Sequence, residues 1–211
     1  MGKHYKFLNK DFSDRYISMF RLLYDEMEKS GVRKEAHLKW ILRPEHLVDY
    51  YVKKFPWIKT LPDFNYEKET LVFFRMNPTW ENGNHFHIHL DPLEANANIN
   101  IPIYNCTSDV VTTWVEPIGK EESIVEERAG NKVVKGETEV EFLTSNHKIL
   151  EEANLVGDRC CLFKGDVWHK VDVLHKRNET RVMSKIWSRG LVWEEMLEKY
   201  KDFIDDSFSP T

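Results

Sequence analysis

The chain has 211 residues, of which 41% are hydrophobic, 13% aromatic and 31% charged, with 9 Gly and 8 Pro; that length carries one substantial domain, and that composition excludes collagen-like, low-complexity and wholly disordered chains. The formal net charge of −5 predicts no nucleic-acid footprint over the whole surface. No apolar run reaches the ~18–20 residues that cross a bilayer and the start lacks a secretory core, so a cytosolic protein without membrane attachment is expected.

Residues 1–60 are expected to form packing helices. Ser13 is positioned to cap a helix whose apolar positions Tyr16, Phe20, Leu23 and Met27 step by three and four and which ends before Gly31. A second helix is expected from Pro44, suited to a first turn, through Leu47, Tyr51 and Phe55 to a stop at Pro56. This third of the chain holds 13 Lys and Arg against 8 Asp and Glu, which reads as solvated helix faces or as a basic surface for an acidic partner.

From residue 61 to 190 the pattern changes to short runs rich in Val, Ile, Thr and aromatics. Strands are predicted at 71–76, 86–90, 98–104, 110–115, 123–128, 137–143, 159–163, 167–173 and 181–187, with turns at Ala129-Gly130-Asn131 and Gly157-Asp158. Residues 191–211 return to helix, with Trp193, Met196, Leu197, Tyr200 and Ile204 on one face. Helices at both ends of eight or nine strands, with no linker or repeat, describe one mainly β domain: a jelly-roll or double-stranded β-helix barrel buttressed by helices. Cys106, Cys160 and Cys161 are odd in number and two are adjacent, which suits neither a disulfide framework nor paired zinc spacing and fits a reducing compartment.

Chemistry enters at His85-Phe86-His87-Ile88-His89-Leu90-Asp91. In a regular strand, residues two apart share a face, so His85, His87, His89 and Asp91 are expected to form one row. Imidazole with carboxylate suits Fe(II), Mn(II) or Zn(II), and two His with one carboxylate leave coordination positions open. The best further ligand is His169, after the turn at Gly165, and twelve residues beyond it Arg181 opens a strand. A buried Arg requires an anion; the competing Arg177 lies in the polar stretch Lys176-Arg177-Asn178-Glu179.

His89-Leu90-Asp91, then His169, then Arg181 resembles the His-x-Asp, distal His and following Arg of the iron(II)/2-oxoglutarate-dependent oxygenases, over the strand-rich part from Arg75 to Trp187. The segment from Asn98 to Cys106, with Thr113-Trp114, also resembles small bacterial and phage members of that superfamily. The resemblance implies iron held by His89, Asp91 and His169, with Arg181 on the distal carboxylate of 2-oxoglutarate. It further implies oxidative decarboxylation of that co-substrate by O2, coupled to oxidation, usually hydroxylation, of a prime substrate that the sequence does not identify. Met183 stands where several subfamilies place a Ser. Asn98, Asn100 and Tyr104 alternate with Ile99, Ile101 and Ile103; their polar face is either a solvated one or the pocket wall, where Asn100 or Tyr104 would meet co-substrate carboxylates. Arg75 and Asn77 precede the His row and are further candidates for lining that pocket.

Two other readings compete. In a cupin, His87, His89 and Glu94 with His169 would be the ligands, although the Gly expected after the Glu is absent and Arg181 would have no role. In a jelly-roll binding protein without metal, the His row is only surface. Residues 118–150 form a long, charged, hairpin-like insertion, suited either to covering an active site or to lying in solvent.

Overall fold

Asn9 starts the first helix. Its side-chain oxygen accepts the Phe12 amide at 3.0 Å, so α1 (Lys10–Lys29) begins a turn earlier than the spacing of its apolar residues suggests. Ser13 is therefore not the cap. It is buried, donates its hydroxyl to the Leu8 carbonyl at 3.2 Å and accepts the Cys160 amide at 3.0 Å. The apolar stripe is as expected: Phe12, Tyr16, Ile17, Phe20, Leu23, Tyr24 and Met27 are all buried, which gives the helix its packing face.

The structure is a computed structural model that describes residues 2–29, 39–42, 52–60, 64–65, 67–76, 85–91, 96–108, 110–118, 125–128, 131–134, 147–155, 157–173, 179–188 and 190–208; for residues 39–42, 76, 85–87, 89, 117, 125–128, 131–134 and 173 it describes the backbone alone. The helix expected from Pro44 lies outside these residues as far as Tyr51; a helical turn at Val52–Lys54 and a 3-10 turn at Pro56–Thr60 follow. The strand expected at 137–143 also lies outside them. Among the described residues no helix is long and apolar enough to cross a membrane.

The architecture is mainly antiparallel β, with few helices. Twelve described strands are β1 (Tyr5–Phe7), β2 (Lys39–Leu42), β3 (Thr70–Met76), β4 (His85–Leu90), β5 (Ala97–Tyr104), β6 (Val110–Pro117), β7 (Val125–Arg128), β8 (Asn131–Val134), β9 (His147–Asn154), β10 (Cys161–Lys164), β11 (His169–Val173) and β12 (Arg181–Trp187). They form two six-stranded sheets, β1-β10-β5-β12-β3-β2 and β7-β8-β4-β11-β6-β9. The first 60 residues are thus not helical throughout, because β1 and β2 close the two edges of the first sheet. Short edge strands of this kind carry little periodicity of their own and are held by pairing.

The first sheet has two unlike faces. Ile99, Ile101, Ile103, Leu71, Phe73, Leu162, Val182 and Ile186 form one buried cluster with the stripe of α1 and with Trp193 and Met196 of α2 (Trp193–Lys199). Residues of the alternate parity, Asn98, Asn100, Cys161, Phe163, Arg181 and Lys185, are buried as well. This second face meets the other sheet where Phe163 of β10 packs on Trp114 of β6, ring centroids 5.1 Å apart.

Two bulges alter the alternation. Val182 lies opposite Tyr104 but Met183 lies opposite Pro102, so β5 carries one extra residue, Ile103, at a place where a strand tolerates proline. His169 lies opposite His89 but Val171 lies opposite Phe86 and Asp172 opposite His85, so β4 carries one extra residue between Phe86 and His89.

Candidate active site

Directly opposed residues of an antiparallel pair share a face. His89 is in register with His169, and on the other side of β11 His169 is in register with Trp114. These positions lie on the face that meets the first sheet, as the contact of Trp114 with Phe163 requires. The β4 bulge breaks the expected row: His85 is in register with Asp172, whose carboxylate pairs with Lys170 at 2.7 Å, and so falls on the other face from His89. His85 and His89 do not share a side, because one extra residue inverts the parity of everything beyond it.

Asp91 follows β4 and is anchored by its amide, which donates to the Gly165 carbonyl at 3.0 Å. Its carboxylate is buried, and Oδ2 accepts from Asn98 Nδ2 at 3.0 Å and from Lys185 Nζ at 3.0 Å. His169 is 1% exposed. Its Nδ1 lies 2.8 Å from the Val167 carbonyl, and because a carbonyl only accepts, Nδ1 carries a proton, which in the neutral imidazole leaves the lone pair on Nε2. That is the tautomer a metal-ligating histidine needs, fixed in the way such histidines are usually fixed. Phe163 joins the two halves: its ring meets the His169 imidazole edge-on at 4.9 Å and the Lys185 ammonium at 4.6 Å.

Arg181 is 4% exposed, on the same face of β12 as Lys185. Its guanidinium donates to the Met183 sulfur at 3.4 Å, a weak acceptor. Asn100, 3% exposed, lies opposite Lys185. Tyr104 is not brought to this group. The β5 bulge turns it to the helix side, where its hydroxyl donates to the Asp25 carboxylate of α1 at 2.9 Å and its ring meets Tyr24. Burial and the Asp25 carboxylate push the Tyr104 phenol above its ordinary range. Arg75 is likewise on the helix side, 3.3 Å from Glu28. Asn77, Glu94 and Arg177 lie outside the described residues, as does most of the 118–150 insertion; of that insertion, β8 extends the second sheet beyond β4 with Val133 opposite His89. Among the described side chains no three His, Cys, Asp or Glu residues converge on one point.

No family model matches the chain, and no curated protein matches it. Solved structures do resemble it. The non-heme alpha ketoglutarate dependent epimerase SnoN from nogalamycin biosynthesis is 10% identical over 87% of this chain and 77% of its own, with a TM-score of 0.47. A prolyl 4-hydroxylase from Phytophthora capsici is 14% identical over 92% of this chain and 62% of its own, with a TM-score of 0.47. A prolyl-4-hydroxylase from Pseudomonas putida is 13% identical over 89% and 93%, with a TM-score of 0.38.

Lys185 and Phe163 are the functional candidates that motif reading misses. The signal for Lys185 was available: Arg181, Met183 and Lys185 alternate with Val182, Ser184 and Ile186, and a Lys two pleats beyond a buried Arg must share its face.

Proposed function

We propose that the protein is an iron(II)/2-oxoglutarate-dependent oxygenase of the cytoplasm, built on a double-stranded β-helix, that oxidises, most simply by hydroxylation, a prime substrate of unknown class. Strand order supports the fold. With β1, β2, β7 and β8 set aside as additions at the sheet edges, the remaining eight strands run first-eighth-third-sixth in one sheet and second-seventh-fourth-fifth in the other, the order of a jelly roll.

The observation that carries the chemistry is the register of His89 on His169, beside a buried carboxylate, Asp91, that already holds a cation. The donor set fits a divalent metal: two imidazoles and one carboxylate, with His169 in the ligating tautomer. His89, Asp91 and His169 would hold the iron, which with 2-oxoglutarate and O2 supplies the oxidising chemistry. The protein's own contribution is ligation, orientation and exclusion of water. Arg181 presents a planar pair of donors to the distal carboxylate of 2-oxoglutarate, and Asn100 offers its amide from the neighbouring strand. Phe163 and Trp114 wall the site and keep it dry.

The test is anaerobic titration with Fe(II) and 2-oxoglutarate, following the metal-to-ligand absorption band. One Fe(II) per chain is expected. His89→Ala, Asp91→Ala and His169→Ala each lose it, and His85→Ala keeps it. Arg181→Met keeps iron but weakens 2-oxoglutarate by roughly 30-fold to several thousandfold, the ~2–5 kcal/mol of a buried charge pair. Full iron in both the Asp91 and His169 variants overturns the assignment, and wild-type protein that binds iron but no 2-oxoglutarate moves it to another class of barrel enzyme.

A further inference from the structure

Two cations are buried on one face of β12. Arg181 and Lys185 stand four residues apart, on the order of 13 Å along the strand, and both are under 10% exposed. The Lys185 ammonium meets Asp91 at 3.0 Å, with side chains 9% and 5% exposed, and lies over the Phe163 and Phe74 rings at 4.6 and 5.5 Å. In so dry a setting an ammonium needs its counter-charge, because removing one member of a buried pair strands the other. Asp91 therefore cannot accept a divalent ion for free. The ion and the ammonium would both sit within hydrogen-bonding or coordination reach of one carboxylate, and like charges at that distance repel strongly where the dielectric is low. Once released from Asp91, the ammonium faces two aromatic rings and, across the strands, Asn100; an incoming anion restores neutrality.

We propose that Lys185 is an internal counter-ion that holds Asp91 while the site is empty of metal and thereby couples metal binding to the binding of a dicarboxylate. The coupling rests on the oxygenase reading, since it takes Asp91 to be a metal ligand and the dicarboxylate to be 2-oxoglutarate. It makes Lys185 a positioning residue with an unusual signature: its loss should improve metal binding. A residue that only supports the fold has no such effect.

Mn(II), which needs no exclusion of air, is titrated into wild-type protein and Lys185→Gln, with and without saturating 2-oxoglutarate, and free Mn(II) is read by electron paramagnetic resonance. Gln keeps a donor for Asp91 and removes the charge; Lys185→Met serves if Gln does not fold. Without 2-oxoglutarate the variant is expected to bind Mn(II) about tenfold more tightly than wild type. The tightening that 2-oxoglutarate confers should be smaller in the variant by about the same factor, as reciprocal coupling requires. Equal or weaker Mn(II) binding by the variant overturns the counter-ion role and leaves the oxygenase reading standing. Wild-type protein whose Mn(II) affinity is unchanged by 2-oxoglutarate overturns it without any variant. If neither protein binds Mn(II) under any condition, the oxygenase reading falls and the counter-ion role falls with it.

Discussion

Asp91 and Tyr104 show how far one residue's fate depends on its neighbours in the sheet. Asp91 is fixed at both ends, by its amide on Gly165 and by its carboxylate on Asn98 and Lys185, so, under the proposed function, its carboxylate would be oriented independently of the metal. Tyr104 has the residue type and the nominal parity of a pocket residue, yet it ties β5 to α1 through Asp25. Tyr104→Phe is therefore expected to leave the 2-oxoglutarate affinity of the iron-loaded protein unchanged while costing about 1 kcal/mol in stability, read from the urea midpoint. A variant with normal stability and lost co-substrate binding would return Tyr104 to the pocket. The residues proposed as ligands stand out in the sequence as candidates because ligand chemistry is written in residue type and spacing. Tyr104 and His85 were misread because a bulge belongs to a pair of strands, and neither strand's own periodicity records it.

At the scale of elements, long apolar patterns were the readable part. The stripe of α1 and the strands β3, β5, β6 and β12 stand within two residues of expectation at each end, save the start of α1, since each carries its own period-of-two or helical signal. β1 and β2 did not show themselves, being three and four residues long and stabilised by the sheet they join. The C-terminal α2 is held by a polar contact that no pattern announces. Buried Glu69 accepts from the Asn65 amide at 2.7 Å, from Ser188 Oγ at 2.8 Å and from Lys199 Nζ at 3.2 Å, and so fastens the end of β12 and the helix to the approach of β3. Glu69→Ala should cost about 1–3 kcal/mol, because three donors lose their acceptor while Lys199 still reaches water. Denaturant unfolding measures this, and Mn(II) affinity should not move, as Glu69 contacts none of the proposed ligands.

For the whole molecule, a ligand that binds only the folded state adds its binding free energy to stability. At a hundredfold excess over its dissociation constant this is about 2.7 kcal/mol. Mn(II) with 2-oxoglutarate should raise the thermal midpoint of wild-type protein, a chelator should return it, and Asp91→Ala should show no rise. A rise that persists in the Asp91 variant would mean that the stabilising ion sits elsewhere.

The adjacent cysteines offer a different kind of measurement. Cys160, just ahead of β10, lies in the cluster under α1, and Cys161, the first residue of β10, lies in the cluster between the sheets, with Trp114 and Phe163. Burial pushes both thiols well above their ordinary pKa, so a thiol reagent at neutral pH acts on either one only after its own layer has parted. The order of labelling, followed by mass spectrometry of the peptide that holds both, then distinguishes two modes of opening: Cys160 first if the helix lifts from its sheet, Cys161 first if the two sheets separate, and both together if the domain opens as a unit.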